Sequence, residues 1–326
     1  MLQLLPRRAV LAGALAGAAG ARIAGAAERQ IGWISTEPPE SAAPFLKALR
    51  DGIARQLPAG APGVQVIERN VVSGGAEAVA RTVEELQKMG VQLIVSQGAA
   101  LPPVAGARPT VPVVFGYSGD PVAAGVVQSL ANPGGNITGM SFMSIELMPK
   151  RIDLLRQALP ACRRIALISN SLHAGEAREV AACQQAVQPS EIRLSVHLVK
   201  DPADLKTVLG QALDSDAQAI LTLPSALMVR NAPSLAAACI ERRMPLISGW
   251  SSIARSGALM TYGPNLEKGF DRVAYLVLRV LAGTSPASLP VEQPTELELA
   301  INLKTAAALG IAIPASLQAQ ADELIE

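Results

Sequence analysis

The sequence predicts an α/β protein with two lobes, each built on a parallel sheet. Two observations carry this prediction. From Gln30 onward, short apolar runs alternate with longer amphipathic stretches, which is typical of repeated βαβ units. The alternation breaks at the Asn-Pro-Gly-Gly-Asn turn of residues 132–136 and then starts again. Two similar series in one chain imply two lobes.

Length and composition agree with this fold class. Removing a predicted leader from the 326 residues leaves roughly 300, which exceeds the usual size of a single core. Half of the residues are hydrophobic and 3% are aromatic, so the interior consists mainly of Ala, Leu, Val and Ile. That mixture suits helices packed on a parallel sheet.

The elements follow from the apolar periodicity. In the first series we place strands at 31–34, 64–71, 91–95 and 111–115, helices at 43–56 and 75–89, and a connecting strand at 137–142. In the second series we place helices at 146–159, 176–187 and 203–213 and strands at 164–168, 194–199, 219–222 and 245–247. The last part holds strands at 259–262 and 297–301, a helix at 265–282, an extended segment at 285–294 and a closing helix from Ala315. Phe270, Val273, Ala274 and Val277 give the helix at 265–282 one apolar face.

The first residues have the pattern of an export signal. Arg7 and Arg8 precede an apolar run at 9–21, which is too short to span a bilayer, and the small residues at 24–26 suit a signal peptidase. We therefore predict that residues 1–26 are a cleaved signal peptide and that the protein is exported to the periplasm. A buried Ala-rich helix is the alternative, and the paired arginines admit the twin-arginine as well as the general secretory route.

Charge and cysteine content exclude several kinds of site. Net charge is +1 and no run of Lys or Arg forms a basic stripe, so nucleic acid and anionic membranes are not expected partners. Cys162, Cys183 and Cys239 lie far apart and form no C-x-x-C, so we predict no metal site. Buried thiols are the favoured interpretation, and a disulfide between one pair is the alternative.

Catalytic motifs are missing from the chain. It has no phosphate-binding G-x-x-x-x-G-K-[ST], no H-E-x-x-H and no G-x-S-x-G, and the first strand is not followed by the Gly-rich turn that a dinucleotide needs. We therefore predict no cofactor and no enzymatic activity. His173 and His197 are the two histidines, and a surface or core role is favoured for both.

A binding site is expected where polar residues follow the strands. Ligands of open parallel sheets bind beyond the carboxyl ends of the strands. Our candidate ligand-binding residues are Thr36, Glu37, Ser96, Gln97, Tyr117, Ser118, Asp120, Asn170, Ser171, Ser225 and Trp250. Hydroxyls, two amides, acids and two aromatic rings suit a small polar molecule with a flat part. The alternative for any one of them is a turn or helix cap, and Asp120 is equally suited to capping and to pairing with a ligand ammonium.

Four motifs carry a family resemblance: Ser118-Gly-Asp-Pro-Val122, Asn132-Pro-Gly-Gly-Asn-Ile-Thr-Gly139, Tyr262-Gly-Pro-Asn265, and Pro290-Val-Glu-Gln-Pro-Thr295 followed by Glu298-Leu-Ala-Ile-Asn302. In this order they resemble the substrate-binding proteins of ABC transporters in the tryptophan- and aromatic-amino-acid-binding-like family. The resemblance implies a type I periplasmic-binding protein fold, with two Rossmann-like lobes joined by a hinge. It also implies a small-molecule solute and an ABC permease in the inner membrane as partners.

The resemblance also implies hinge closure around the solute, with hinges near 121–142 and 262–265. We place lobe 1 at residues 28–121 and 264–326 and lobe 2 at residues 122–263, although the sequence does not decide the lobe of residues 285–326. We expect a monomer. A sensory module for a membrane receptor and a secreted α/β enzyme are the alternatives. A DNA-binding repressor of this architecture would need a helix-turn-helix where the export signal stands.

Overall fold

The computed structural model describes residues 28–142, 145–173 and 175–326. The predicted signal peptide at 1–26 lies outside these residues. Within the described ranges, no helix combines the length and the apolar character needed to cross a membrane.

Regular structure alternates along the chain as the periodicity predicts. The first part contains β1 (Arg29–Ser35), α1 (Pro39–Gln56), β2 (Val64–Asn70), α2 (Gly75–Lys88), β3 (Leu93–Gln97), α3 (Leu101–Gly106), β4 (Val113–Tyr117) and β5 (Ile137–Ser141). The second part contains α4 (Met148–Ala158), β6 (Arg164–Asn170), α5 (Glu176–Val187), β7 (Arg193–Val199), α6 (Leu205–Leu213), β8 (Ala219–Thr222), α7 (Ala226–Arg230), α8 (Ala232–Glu241), β9 (Leu246–Ser248), α9 (Ser251–Arg255) and β10 (Met260–Pro264). The last part contains α10 (Leu266–Leu281), β11 (Leu297–Asn302), α11 (Leu303–Leu309), α12 (Ala315–Gln318) and β12 (Glu323–Ile325).

Lobe 1 is built on a five-stranded parallel sheet in the order β2-β1-β3-β4-β5. Every residue of β3 and β4 is buried, as expected for strands that helices cover on both faces. Trp33, Leu49 and Phe270 belong to the core on one face, with α1 and α10. Val83 and Phe115 belong to the core on the other face, with α2 and α3. The predicted apolar face of α10 is confirmed, since its four named residues are buried.

Lobe 2 is built on a seven-stranded sheet in the order β12-β11-β10-β9-β8-β6-β7. Its neighbouring strands run parallel, except that β11 runs antiparallel to β10. Leu155 and Leu167 belong to the core on one face, and Val208 and Leu235 to the core on the other. Each lobe is therefore a sheet between two helical layers, which confirms the predicted fold class.

Within the described ranges, the chain passes between the lobes three times. It leaves the first sheet after β5 and enters lobe 2 at α4, and it returns between β10 and α10. Glu292 still pairs with lobe 1, because its N–H donates to the Gly139 carbonyl (2.9 Å) and its carbonyl accepts from Ser141 N–H (2.9 Å). The third crossing therefore lies between residue 292 and β11.

Strand pairing divides the chain differently from the predicted boundaries. Residues 122–136 connect β4 to β5, which is a fifth parallel strand of lobe 1, so this connection does not cross between lobes. Residues 297–326 belong with lobe 2, because β11 and β12 extend its sheet. The crossing at 264–266 overlaps the second predicted hinge at 262–265, whose movement stays a prediction. The lobe of each segment depends on hydrogen bonds between strands that are distant in sequence. Local periodicity carries no information about this pairing.

All three cysteines are buried free thiols. Burial raises the pKa of Cys183 and of Cys239 to about 12, and it also raises the pKa of Cys162. Because the thiolate is the reactive form, these thiols are unreactive near neutral pH. The structure thus agrees with the buried-thiol interpretation and not with a disulfide.

Candidate functional site

The candidate site is a cleft between the loops that follow the strands of both sheets. One cavity in it, here called the aromatic cavity, encloses about 480 Å³, its opening included. Its lining comes from both lobes and includes Phe45, Phe142, Trp250, Leu266 and Phe270 together with Glu37, Gln97, Ser118 and Arg230. A solute in this cavity would therefore contact both lobes at once.

Phe270 organises the apolar wall of the aromatic cavity. Its ring centroid lies 5.3 Å from that of Phe45, 5.7 Å from Trp33 and 5.8 Å from Phe142, all in tilted arrangements. Gly116 makes this packing possible, because a Cβ at that position would lie 2.5 Å from Cζ of Phe270. The wall therefore presents flat carbon surface that suits a planar apolar group.

A second cavity, here called the polar cavity, adjoins the first. It encloses about 780 Å³, its opening included, and it shares Glu37, Ser118, Ala226 and Arg230 with the aromatic cavity. The polar groups that it adds are those of Thr36, Tyr117, Asn170, His173 and Ser225. Burial, with a smaller contribution from the charge of Asp120, raises the pKa of Tyr117 to about 12. Its phenol therefore stays protonated and can donate a hydrogen bond.

An ion pair joins the two lobes where the cavities meet. Arg230, at the end of α7, donates from Nη1 to Oε2 of Glu37 at 2.9 Å. Glu37 follows β1, and its N–H donates to Oγ of Ser35 at 3.0 Å, while that hydroxyl donates to Oε1 of Gln97 at 2.6 Å. Hydrogen bonds between two strand ends thus hold the acid in place on lobe 1.

Trp250 supplies an unpartnered donor. It follows β9, is 4% exposed, and its buried Nε1 has no hydrogen-bond acceptor in the described part of the chain. Its neighbour Gly249 packs tightly, since a Cβ there would lie 2.2 Å from Cγ of Pro224 and 2.6 Å from Nη2 of Arg151. A buried N–H without a partner is costly, so an acceptor on a bound solute would be favourable.

Buried Arg151 braces this part of lobe 2. Its Nε donates to the carbonyl of Tyr262 at 2.7 Å, which ties α4 to β10, next to two of the interlobe crossings. Burial lowers the pKa of Arg151 to about 10, and the nearby charge of Glu179 opposes that shift. The guanidinium therefore remains charged at neutral pH.

Ser118 and His173 also meet across the cleft. Ser118 Oγ lies 3.1 Å from Nε2 of His173, and Nδ1 of His173 lies 3.6 Å from Oε2 of buried Glu179. The second distance is longer than a hydrogen bond. The three groups therefore do not form, in this structure, the continuous hydrogen-bonded chain that activates a serine nucleophile.

The structure brings most of the sequence-predicted site residues together. Glu37, Gln97, Ser118 and Trp250 line the aromatic cavity, and Thr36, Tyr117, Asn170 and Ser225 line the polar cavity. Ser225 also caps α7, because its Oγ accepts a hydrogen bond from the N–H of Met228 at the start of that helix.

Ser96, Ser171 and Asp120 lie elsewhere. Ser96 is fully buried within β3, and Ser171 Oγ donates to the Val199 carbonyl at 3.1 Å. Asp120 Oδ1 accepts from two successive N–H groups, and Oδ2 pairs with Arg178 of lobe 2. It lines a separate cavity of about 650 Å³. Asp120 thus has the capping role that was its alternative and also pairs with a cation, and its role toward a ligand ammonium stays a prediction.

Sequence reasoning missed Arg230 and the three phenylalanines of the wall. Phe270 was predicted on the apolar face of its helix, Phe45 lies in a predicted helix without an assigned role, and Arg230 lies on a short helix with no strong periodicity. One signal was available in the sequence, namely the small number of phenylalanines. The chain has four Phe residues in all, and three of them line one cavity.

One family model matches most of the chain. The family model described as ABC transporter substrate binding protein matches residues 44–325. A tyrosine-binding protein of Clostridioides difficile (strain R20291) is 29% identical over 203 residues, which is 61% of this chain and 57% of that protein. The chain thus matches little more than half the length of this curated relative.

Several solved structures share the fold. One is described as an ABC domain from Streptococcus pneumonia in complex with L-Trp, and it matches with a TM-score of 0.82 at 21% identity, covering 92% of this chain and all of the other. A conserved domain protein from Vibrio cholerae matches with a TM-score of 0.81 at 21% identity, covering 91% of this chain and 99% of the other.

Proposed function

Because this chain belongs to the ABC transporter substrate-binding protein family, we propose that it captures a small solute, an amino acid or an aromatic or carboxylated compound, between its lobes. We further propose that it delivers the solute to the permease of an importer. The aromatic cavity carries this proposal, because a solute in it would contact both lobes.

Hinge closure is the proposed mechanism. A ligand shifts an equilibrium between two states only by its differential affinity for them. A solute that contacts Phe45 and Phe270 on lobe 1 and Trp250 on lobe 2 makes both sets of contacts only when the lobes are together. Its binding therefore favours the closed form. Because the closed form differs in shape from the open form, a permease can distinguish the two.

The chemistry of the cleft supports an aromatic solute. Rings of Phe45, Phe142, Trp250 and Phe270 offer stacking and edge contacts to a planar group. Glu37 and Arg230 stand at its polar end, where the amino and carboxylate groups of an amino acid would find opposite charges. The tyrosine-binding relative supports the same solute class.

Export to the periplasm and the permease partner belong to this proposal. Arg7, Arg8 and the apolar run at 9–21 support export, and membership of the family supports the permease. A single chain offering one face of each lobe to a permease suffices for delivery, so we propose a monomer.

Thermal unfolding with candidate solutes tests the proposed function. Screening should cover the aromatic amino acids, other amino acids and aromatic acids. A solute at 100 times its dissociation constant is expected to add about 2.7 kcal/mol to the free energy of unfolding, and titration calorimetry would then give its affinity. Recovery of the solute unchanged after incubation separates a receptor from an enzyme. If no compound of these classes shifts the transition, the proposal fails.

Arg178→Gln is expected to lower the affinity for every solute by the same modest factor. Arg178 pairs with Asp120 across the lobes but lies outside both solute cavities, so its loss changes the cost of closure and not the contacts with the solute. Its side chain is 64% exposed, so the expected effect is at most about fivefold in affinity, and smaller at high salt.

Calorimetry with two different solutes measures this effect. Arg81→Gln is the matched control, because Arg81 pairs with Glu77 within α2, and no change in affinity is expected for it. An effect of Arg178→Gln on one solute and not on the other would show that Arg178 acts on the solute itself.

A further inference from the structure

The interlobe pair of Glu37 and Arg230 joins two side chains with very different access to water. The side chain of Glu37 is 7% exposed, and that of Arg230 is 39% exposed. Among the described residues, Arg230 is the cationic side chain that pairs with Glu37, and Glu37 is the acid that pairs with Arg230. Both residues line the aromatic cavity and the polar cavity. A charged group on a solute in either cavity therefore competes with this pair.

The consequence depends on the charge of the solute. An anionic aromatic acid attracts Arg230 and leaves the buried Glu37 carboxylate without its cation, which is costly. A zwitterion offers an ammonium to Glu37 and a carboxylate to Arg230, so both charges stay compensated. A cationic amine displaces Arg230, whose partly exposed guanidinium recovers solvation from water. The free-energy cost of disrupting the pair is therefore largest for anionic solutes.

We infer that this cleft selects solutes without net charge, and that Glu37 is the specificity-determining residue that rejects anions. The inference rests on the proposed function, since it concerns solutes bound at the same site. It narrows the proposed solute class to amino acids and disfavours aromatic acids that lack an amino group.

Matched pairs of compounds that differ only in the α-amino group test the inference by calorimetry. The pairs are L-phenylalanine with phenylpropanoate, L-tyrosine with hydroxyphenylpropanoate, and L-tryptophan with indolepropanoate. For whichever ring fits the aromatic cavity, the amino acid is expected to bind at least about tenfold more tightly than its partner. Phenylethylamine is expected to bind between phenylalanine and phenylpropanoate.

Glu37→Gln isolates the carboxylate. Glutamine keeps the shape of the side chain and can still accept a hydrogen bond from Arg230, but it needs no cation. In this variant the amino acid is expected to bind more weakly and the anion more tightly, so that the tenfold ratio shrinks to about threefold or less. Glu77→Gln on α2, where the acid is 85% exposed, is the control and should keep the wild-type ratio. Thermal unfolding of both variants checks that they fold.

The outcomes separate the two proposals. If the anions bind as tightly as the amino acids, or if Glu37→Gln leaves the ratio unchanged, selection by Glu37 is overturned while the solute-binding function stands. If none of these compounds binds, the proposed aromatic class fails and this inference fails with it.

Discussion

Alanine in place of Phe270 is expected to lower the free energy of unfolding by about 3–5 kcal/mol. Phe270 is 2% exposed, and its ring contacts Trp33, Phe45 and Phe142. It also fills the space left by Gly116, where the sheet carries no side chain that could expand into the void. The substitution therefore removes both buried carbon surface and the packing partner of three rings.

Chemical denaturation followed by circular dichroism measures this loss. Phe270→Leu keeps most of the buried volume and is expected to lose less than half as much stability as the alanine variant. Arg279→Ala, at an exposed position of the same helix, should change the free energy of unfolding by less than about 0.5 kcal/mol. A loss below about 1 kcal/mol for Phe270→Ala would mean that the rings repack.

Alanine in place of Trp250 is expected to weaken binding of an aromatic solute by roughly tenfold. Trp250 is the aromatic ring that lobe 2 contributes to the aromatic cavity. An aromatic pair contributes at most about 1.5 kcal/mol beyond the area that it buries, which corresponds to the stated change in affinity. The variant also loses the Nε1 donor, which has no acceptor among the described protein groups.

Trp250→Phe separates the ring from the N–H. It keeps an aromatic surface and removes the donor, so an affinity between those of the wild type and the alanine variant is expected if the N–H bonds to the solute. Circular dichroism identifies a temperature at which both variants are folded. Calorimetry at that temperature gives their affinities. Unchanged affinity in Trp250→Ala would remove this residue from the solute site.

Much of the architecture was readable from local sequence. The predicted strand at 164–168 lies within β6, and the predicted helix at 265–282 matches α10 to within one residue at each end. These elements are predictable because strand and helix periodicities are properties of a few consecutive residues. Residues at strand ends could be selected as candidates for the same reason, since parallel strands deliver their carboxyl ends to one edge.

The sequence by itself determined the α/β class, the two series of units and the strand-end loops that carry most of the site. Only the tertiary structure decided that β5 belongs to lobe 1, that β11 and β12 belong to lobe 2, and that Arg230 meets Glu37. It also paired Asp120 with Arg178 across the lobes, at a cavity separate from the aromatic and polar cavities. The physical reason is that strand order and contacts between lobes depend on residues that are distant in sequence. Val113 pairs with Ile137, 24 positions away, and Glu37 pairs with Arg230, 193 positions away, and such pairing leaves no trace in local periodicity.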